Sequence, residues 1–311
     1  MMKNATRTDI QQAVTDTIIE RIEQGGVLPW QCPWTKTGEQ PIPYNWLTKQ
    51  FYSGINILIL WVRAMENGYS TNAWLTFKQA QQLGGRVRKG EKAVQCIFVK
   101  PVEVENENPG CDTDEDGKKI ILCRKAFSLF NVEQVEGLDN LPCVPEQPEY
   151  DEAEAVAAIN RVAEVYCANT GVEIRHGGDR AYYSPALDII KLPTTFHDGA
   201  GYAATLAHEL IHSTGHKKRF DRFDQQAGAF KGFKEAYAFE ELIAELGAAF
   251  ACAELGIQGQ HEQHASYLDS WLRVLKSDKT FIFKAAAAAS KAHSYLMRGG
   301  VESERIVANV A

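Results

Sequence analysis

Residues 207–216 read Ala207-His208-Glu209-Leu210-Ile211-His212-Ser213-Thr214-Gly215-His216. The HExxH spacing puts His208 and His212 four residues apart, one helical turn along one face. Two imidazoles so placed can bind one Zn2+. Glu209, beside the first of them, reaches a water on that ion. Zinc lowers the water's pKa, and the glutamate takes its proton as the water attacks a peptide carbonyl. The pattern is short and also arises on ordinary surface helices. Its context argues against that here. The flanks Leu206, Ala207, Leu210 and Ile211 are apolar, so the helix is expected to be buried. A strand ending at Leu192-Pro193 precedes it, and a later helix carries carboxylates.

The third ligand has two sources. A straight helix carries His216 past the metal, which leaves it a supporting or surface role. HExxHxxG also opens the metzincin pattern, but Lys218 stands where that pattern needs a histidine. Residues 237–246 (YAFEELIAEL) place Glu241 and Glu245 on one face. In the gluzincin arrangement one carboxylate ligates, and an acid four residues later holds a ligand histidine. Glu241 is therefore the expected ligand and Glu245 the acid behind a histidine; the bland alternative is a solvated helix charge. Mn2+ or another divalent ion suits the same donors. Residues 181–192 (AYYSPALDIIKL) read as one sheet-edge strand able to pair with a substrate backbone. Tyr182 and Tyr183 either steady an oxyanion there or belong to the core, and the core reading is favoured.

The 311 residues exceed what one typical core supports, so two domains are expected. Hydrophobic residues at 45% and charged residues at 23% are ordinary for a soluble globular protein. The start, MMKNATRTDIQQAV, lacks the apolar core of a secretory signal. The most apolar stretch, 54–62, is too short for a bilayer, which takes about 20 residues, so no membrane association is expected. Seven cysteines, an odd number without CxxC spacing, point to reduced thiols and a cytoplasmic protein.

Residues 9–24 read as an amphipathic helix, with Ile10, Val14, Ile18 and Ile22 on one face. Residues 27–53 are rich in Pro, Trp and Tyr and read as extended. Helices are expected at 55–66 and 76–83, then strands at 93–104 and 119–131 around an acidic loop at 103–117. Prolines at 142, 145 and 148 mark a linker, 141–150, between domains at 1–140 and 151–311. The second half reads helix 152–169, strands 172–176 and 181–192, loop 193–200, helix 201–216, a variable loop, helix 234–255 and further helices. The class is α+β.

The net charge of −7 does not by itself suggest nucleic acid. Residues 1–102, however, hold twelve Lys/Arg and seven Asp/Glu. Aromatics crowd the same region, and single-stranded bases stack on exposed rings while Lys and Arg track phosphates. Trp30, Trp34, Trp46 and Tyr52 are the candidate stacking residues. Arg86, Arg88, Lys89 and Lys92, in the turn RVRKGEK, are the candidate phosphate contacts. Against this stands the usual burial of Trp and Tyr.

The runs Gly26-Val27-Leu28-Pro29-Trp30 with Pro33-Trp34, Tyr52-Ser53-Gly54-Ile55-Asn56, Trp74-Leu75-Thr76-Phe77-Lys78-Gln79-Ala80 and Gly84-Gly85-Arg86-Val87-Arg88-Lys89-Gly90-Glu91-Lys92 resemble the ArdC antirestriction family. The segments around His208–His216 and Glu240–Phe250 are similar to it too. The resemblance covers nearly the whole chain. It implies an N-terminal α+β domain that binds single-stranded DNA, joined to a zincin-like (gluzincin-type) metallopeptidase domain. Such proteins are encoded on conjugative plasmids and protect incoming DNA from host restriction; similar N-terminal domains occur in plasmid primases. The expected partners are single-stranded DNA and a protein substrate that the sequence does not name, with host restriction components among the candidates. Two other readings stand beside this one: a strand-coating protein with a structural metal, and a peptidase whose N-terminal half docks proteins.

Overall fold

Asp9 opens the first helix, α1 (Ile10–Glu23), by accepting a hydrogen bond from Gln12 N. Ile18 on its inner face is buried, and Val14 and Ile22 pack beside it. The computed structural model describes residues 9–24, 28, 30, 42–105, 118–139, 151–230, 232–257 and 265–301. The linker expected at 141–150, most of the acidic loop and Trp34 lie outside the described residues.

The N-terminal half continues with β1 (Tyr44–Asn45), α2 (Ile55–Asn67), β2 (Ala73–Leu75), α3 (Phe77–Gln82), β3 (Arg86–Val87), β4 (Val94–Glu105), β5 (Lys118–Asn131) and β6 (Val135–Glu136). Four strands form a sheet in the order β1-β2-β5-β4, and β3 pairs with β6. β4 and β5 are the expected hairpin, antiparallel from Val94↔Leu129 to Glu105↔Lys118. Thr76 and Gln79 form a capping box that starts α3. α2 buries Ile55 and Ile57 through Trp61, more than a stripe, because elements cover it on several sides.

The C-terminal half holds α4 (Glu152–Thr170), β7 (Glu173–His176), β8 (Tyr182–Ser184), β9 (Ile189–Leu192), α5 (Gly199–Ser213), α6 (Arg222–Ala229), α7 (Phe233–Glu254), α8 (Ala265–Ser277) and α9 (Phe281–Met297). The single strand expected at 181–192 is two. β8 and β9 form an antiparallel hairpin closed at Ser184↔Ile189. Pro185 cannot extend the ladder, and Asp188 takes φ +56, which Asp tolerates better than most residues. The sheet order is β7-β9-β8, so β8 is an edge. The motif helix runs 199–213 rather than 201–216, and the expected loop after it contains α6.

One apolar cluster runs from Ile18 through Trp61 and Phe250 to Leu296 and so joins both halves of the chain. The rings of Trp61 and Phe250 meet at 5.7 Å. Gly54 N donates to Ser290 Oγ at 2.6 Å, and Thr15 Oγ1 to Lys279 O at 3.0 Å. A smaller cluster around Tyr44, Leu75 and Val132 lies under the N-terminal sheet.

Candidate metal centre

Asp198 caps α5, accepting from Gly201 N at 2.6 Å. Leu206, Ala207, Leu210 and Ile211 are fully buried and fix the helix in the core. Its polar stripe of His208, Glu209 and His212 lines a cleft of about 1360 Å³. α7 approaches α5 closely at Gly247, where a Cβ would lie 2.9 Å from Ile211 Cγ2. A glycine permits that approach, and it brings the acidic turn of α7 onto the motif.

The Nε2 atoms of His208 and His212 are 3.0 Å apart. Glu241 lies 3.5 Å from each, through Oε2 and Oε1 respectively. One donor atom from each of the three residues lies within 4.8 Å of the others. Burial opposes charge on Glu241, yet the two imidazoles hold its carboxyl far below the usual range. Burial also opposes the His212 imidazolium, but Glu240 and Glu241 raise it to about 10. Two ring nitrogens and a carboxylate oxygen thus converge on one point. Two imidazoles and one carboxylate are the ligand set of catalytic zinc sites, which keep a further position open. Glu209 fits the same reading. It is buried, and its Oε2 has no hydrogen-bond partner among the described residues, as suits a base whose partner is a water in the cleft.

Sequence reasoning missed Glu240. Its Oε1 lies 3.3 Å from His212 Nδ1, the kind of contact with a ligand histidine that was also expected of Glu245. Glu245 is buried one turn beyond Glu241 and lines the same cleft. Glu240 is itself held: Arg222 donates through Nε at 3.1 Å and Nη2 at 2.6 Å, and Gln226 Nε2 at 2.8 Å. Burial raises the Glu240 pKa, but Arg222 and His212 outweigh it and bring the group down to about 2. Arg222 and Gln226 stand four apart on α6, a spacing visible in the sequence once that helix is recognised.

His216 stands outside the donor set. The helix ends before it, and its Nδ1 accepts from Lys218 N at 3.2 Å and lies 3.6 Å from Asp188 Oδ2. Arg219 ties this corner together, donating to Ser213 O at 2.7 Å and Tyr183 Oη at 3.1 Å and pairing with Asp188. The Tyr183 hydroxyl donates to Asp188 Oδ1 at 2.7 Å, so it is not presented to the cleft as an oxyanion donor. Tyr182 is half exposed at the cleft mouth.

The expected DNA contacts separate into two groups. Trp30 and Tyr52 are 2% and 8% exposed and belong to the core, because the shared apolar cluster needs their rings; as placed, neither offers a face to a base. Trp46 is half-buried, with Lys49 Nζ 3.1 Å from its ring centre. Arg86, Arg88, Lys89 and Lys92 are exposed. Arg86 pairs with Glu136 at 2.6 Å and Arg88 with Glu91 at 2.9 Å. Phe51 and Phe77, which the candidate set omitted, are exposed.

A buried HExxH helix facing an acidic helix across a cleft, behind a mixed sheet, defines a zincin-like metalloprotein. A family model of zincin-like metallopeptidases matches residues 161–288, and one for the N-terminal domain of anti-restriction factor ArdC matches residues 8–130. The metal-free crystal structure of the antirestriction protein ArdC from plasmid R388 is 40% identical, covers 96% of this chain and 100% of its own, and superposes with a TM-score of 0.73. Its Mn(II)-bound form is 41% identical, covers 95% and 100%, and gives 0.71. An uncharacterized protein, y4eC, of Sinorhizobium fredii is 35% identical over 96% of this chain and 95% of its own length. The DNA primase TraC of Escherichia coli is 36% identical over 92% of this chain, which spans only 27% of the primase. The chain belongs to the ArdC antirestriction family. No helix among the described residues is long and apolar enough to cross a membrane, and Cys96, Cys167 and Cys252 are free thiols.

Proposed function

We propose that the chain binds single-stranded DNA through its N-terminal half and hydrolyses a peptide bond in the α5–α7 cleft, protecting plasmid DNA that enters a restricting host. The observation that carries the hydrolytic part is the buried Oε2 of Glu209, without a hydrogen-bond partner among the described residues, beside His208, His212 and Glu241. A purely structural metal site has no use for a general base. A divalent ion, Zn2+ or the Mn2+ recorded in the R388 protein, would supply Lewis acidity for the carbonyl and the water. Glu209 takes the proton of the attacking water and returns it to the leaving amine. Glu240 and Arg222 keep the His212 ring oriented. The cytoplasm, where the entering strand meets restriction, is the proposed compartment.

For DNA, the exposed rings of Phe51 and Phe77 join Trp46 and Lys49 as the stacking surface, and Lys89 and Lys92 serve the phosphates. The Arg86–Glu136 and Arg88–Glu91 pairs are exposed and cost little to exchange for phosphate contacts.

The test is entry of an unmodified plasmid into a restricting host expressing the parent or Glu209→Gln, scored against a non-restricting host. Protection by the parent and not by the variant is expected. Equal protection by both would assign the function to DNA binding alone. Oligonucleotide affinity that is flat in salt would favour an N-terminal half that docks proteins, because phosphate contacts weaken steeply with salt.

A further inference from the structure

The third expected ligand sits on a helical stripe that continues upward as aromatic rings. Glu241, Tyr237 and Phe233 are spaced by four on α7, so they share one face. Phe233 is 83% exposed and Tyr237 44%, and both line the cleft. Their rings lie parallel, 6.0 Å apart with 9° between planes. Leaving a ring of this size in water forgoes a large apolar burial, and here two stand side by side at the cleft mouth. Across the cleft runs β8, the edge of its sheet, which among the described strands pairs only with β9 and carries the half-exposed Tyr182. An edge strand offers backbone donors and acceptors to an extended peptide.

We propose that this lip is a specificity subsite: the cleft takes an extended peptide paired along β8, with an aromatic or large aliphatic side chain seated on Phe233 and Tyr237. The inference rests on the peptidase reading above and names its substrate class. Helical rise puts Tyr237 about 6 Å and Phe233 about 12 Å along the axis from Glu241. An extended chain advances about 3.3 Å per residue. With the bound peptide running along α7, the recognised side chain lies about two to four residues from the cut bond, on one side of it. The rings sit at the mouth rather than beside the metal ligands, so they select and hold substrate and take no part in the chemistry.

The experiment digests a peptide library from a tryptic proteome with the metal-loaded full-length parent and with a Phe233→Ser, Tyr237→Ser variant, and aligns the cut sites by mass spectrometry. Both substituted side chains are exposed, and an unchanged thermal midpoint and metal content show that the variant is folded. Parent cut sites are expected to be enriched in Phe, Tyr, Trp or Leu two to four residues to one side, and the variant to lose that enrichment. For a matched pair of peptides with Phe or Ser at the enriched position, the parent kcat/KM ratio is expected at about tenfold, falling toward one in the variant. Cutting by the parent without that enrichment, or enrichment that survives in the variant, overturns the subsite and leaves the peptidase reading intact. A parent that cuts no peptide overturns the peptidase reading and the subsite with it. A variant that loses affinity for a dT20 oligonucleotide would assign the rings to nucleic acid instead.

Discussion

Oε1 of Glu240 lies 3.3 Å from Nδ1 of His212, while the other ring nitrogen of His212 faces His208 and Glu241. One nitrogen is thus tied to the protein and the other is left for a cation. A carboxylate on the far nitrogen fixes the tautomer and tilt of a ligand imidazole. Glu240→Gln is expected to weaken divalent-metal affinity about 10–100-fold, read by titration against a chromophoric chelator. Unchanged affinity would show that the ring orients itself without this contact.

Arg222→Met tests the next layer. It leaves a buried carboxylate whose remaining polar contacts among the described residues are with Gln226 and His212. Removing one partner of a buried pair costs about 3–5 kcal/mol. Urea unfolding of the metal-free protein should fall by about that much. A loss under about 1 kcal/mol would mean that Glu240 adapts to the missing guanidinium.

On the proposed DNA face, Phe51→Ala and Phe77→Ala should each weaken dT20 binding by about 1–3 kcal/mol, the usual worth of a stacked base. Tyr52→Phe should leave affinity unchanged, since that ring is in the core with its hydroxyl 3.2 Å from Asn45 Nδ2. Lys89→Ala and Lys92→Ala should each flatten the salt slope by about one. If Tyr52→Phe weakens binding as much as Phe77→Ala, the surface has been misplaced.

Local signals in the chain reached the motif helix, the β4–β5 hairpin and the α7 stripe, because each is written in spacing: four residues for His208 and His212, alternation for 94–105, four again for Glu241 and Glu245. What stayed hidden depends on packing between distant segments. Trp30 and Tyr52 resembled surface stackers because composition cannot separate a core ring from an exposed one. Glu240, adjacent in sequence to the expected ligand, meets the other nitrogen of His212 and is held there by Arg222 and Gln226 from α6. The turn at Asp188 went unseen because 181–192 reads as one strand; Pro185 was the available signal.

Asp188 gives a pH prediction. Burial raises its pKa, but hydrogen bonds from Arg219 and Tyr183 outweigh this and leave the carboxyl below its usual value. A depressed folded pKa contributes stability that is present above the unfolded value, about 3.9, and lost as pH falls through the folded one. The parent should therefore lose stability below about pH 4 more steeply than Asp188→Asn, with Asn the less stable of the two at pH 7. Parallel urea midpoints across pH 3–7 would remove the Asp188 cluster as a cause of acid sensitivity.

Gly247→Ala sets two effects against each other. Helix propensity favours alanine by about 1 kcal/mol in the interior of α7. The new methyl, however, meets Ile211 Cγ2, Cδ1 and Cγ1 at 2.9, 3.0 and 3.1 Å. Ile211 is fully buried and β-branched, so its side chain has no easy second rotamer, and overpacking costs about 1–3 kcal/mol. The clash is expected to win, with a net loss of roughly 1 kcal/mol in urea unfolding. The larger consequence falls on the metal site, because Ile211 adjoins His212 and moving α7 away from α5 draws Glu241 off both histidines. Metal affinity should therefore drop by more than the stability loss alone implies. In an Ile211→Ala background the same methyl fills space instead of clashing, and Gly247→Ala should become neutral or stabilising. If Gly247→Ala weakens the protein equally in both backgrounds, close approach at Ile211 is not what that glycine provides.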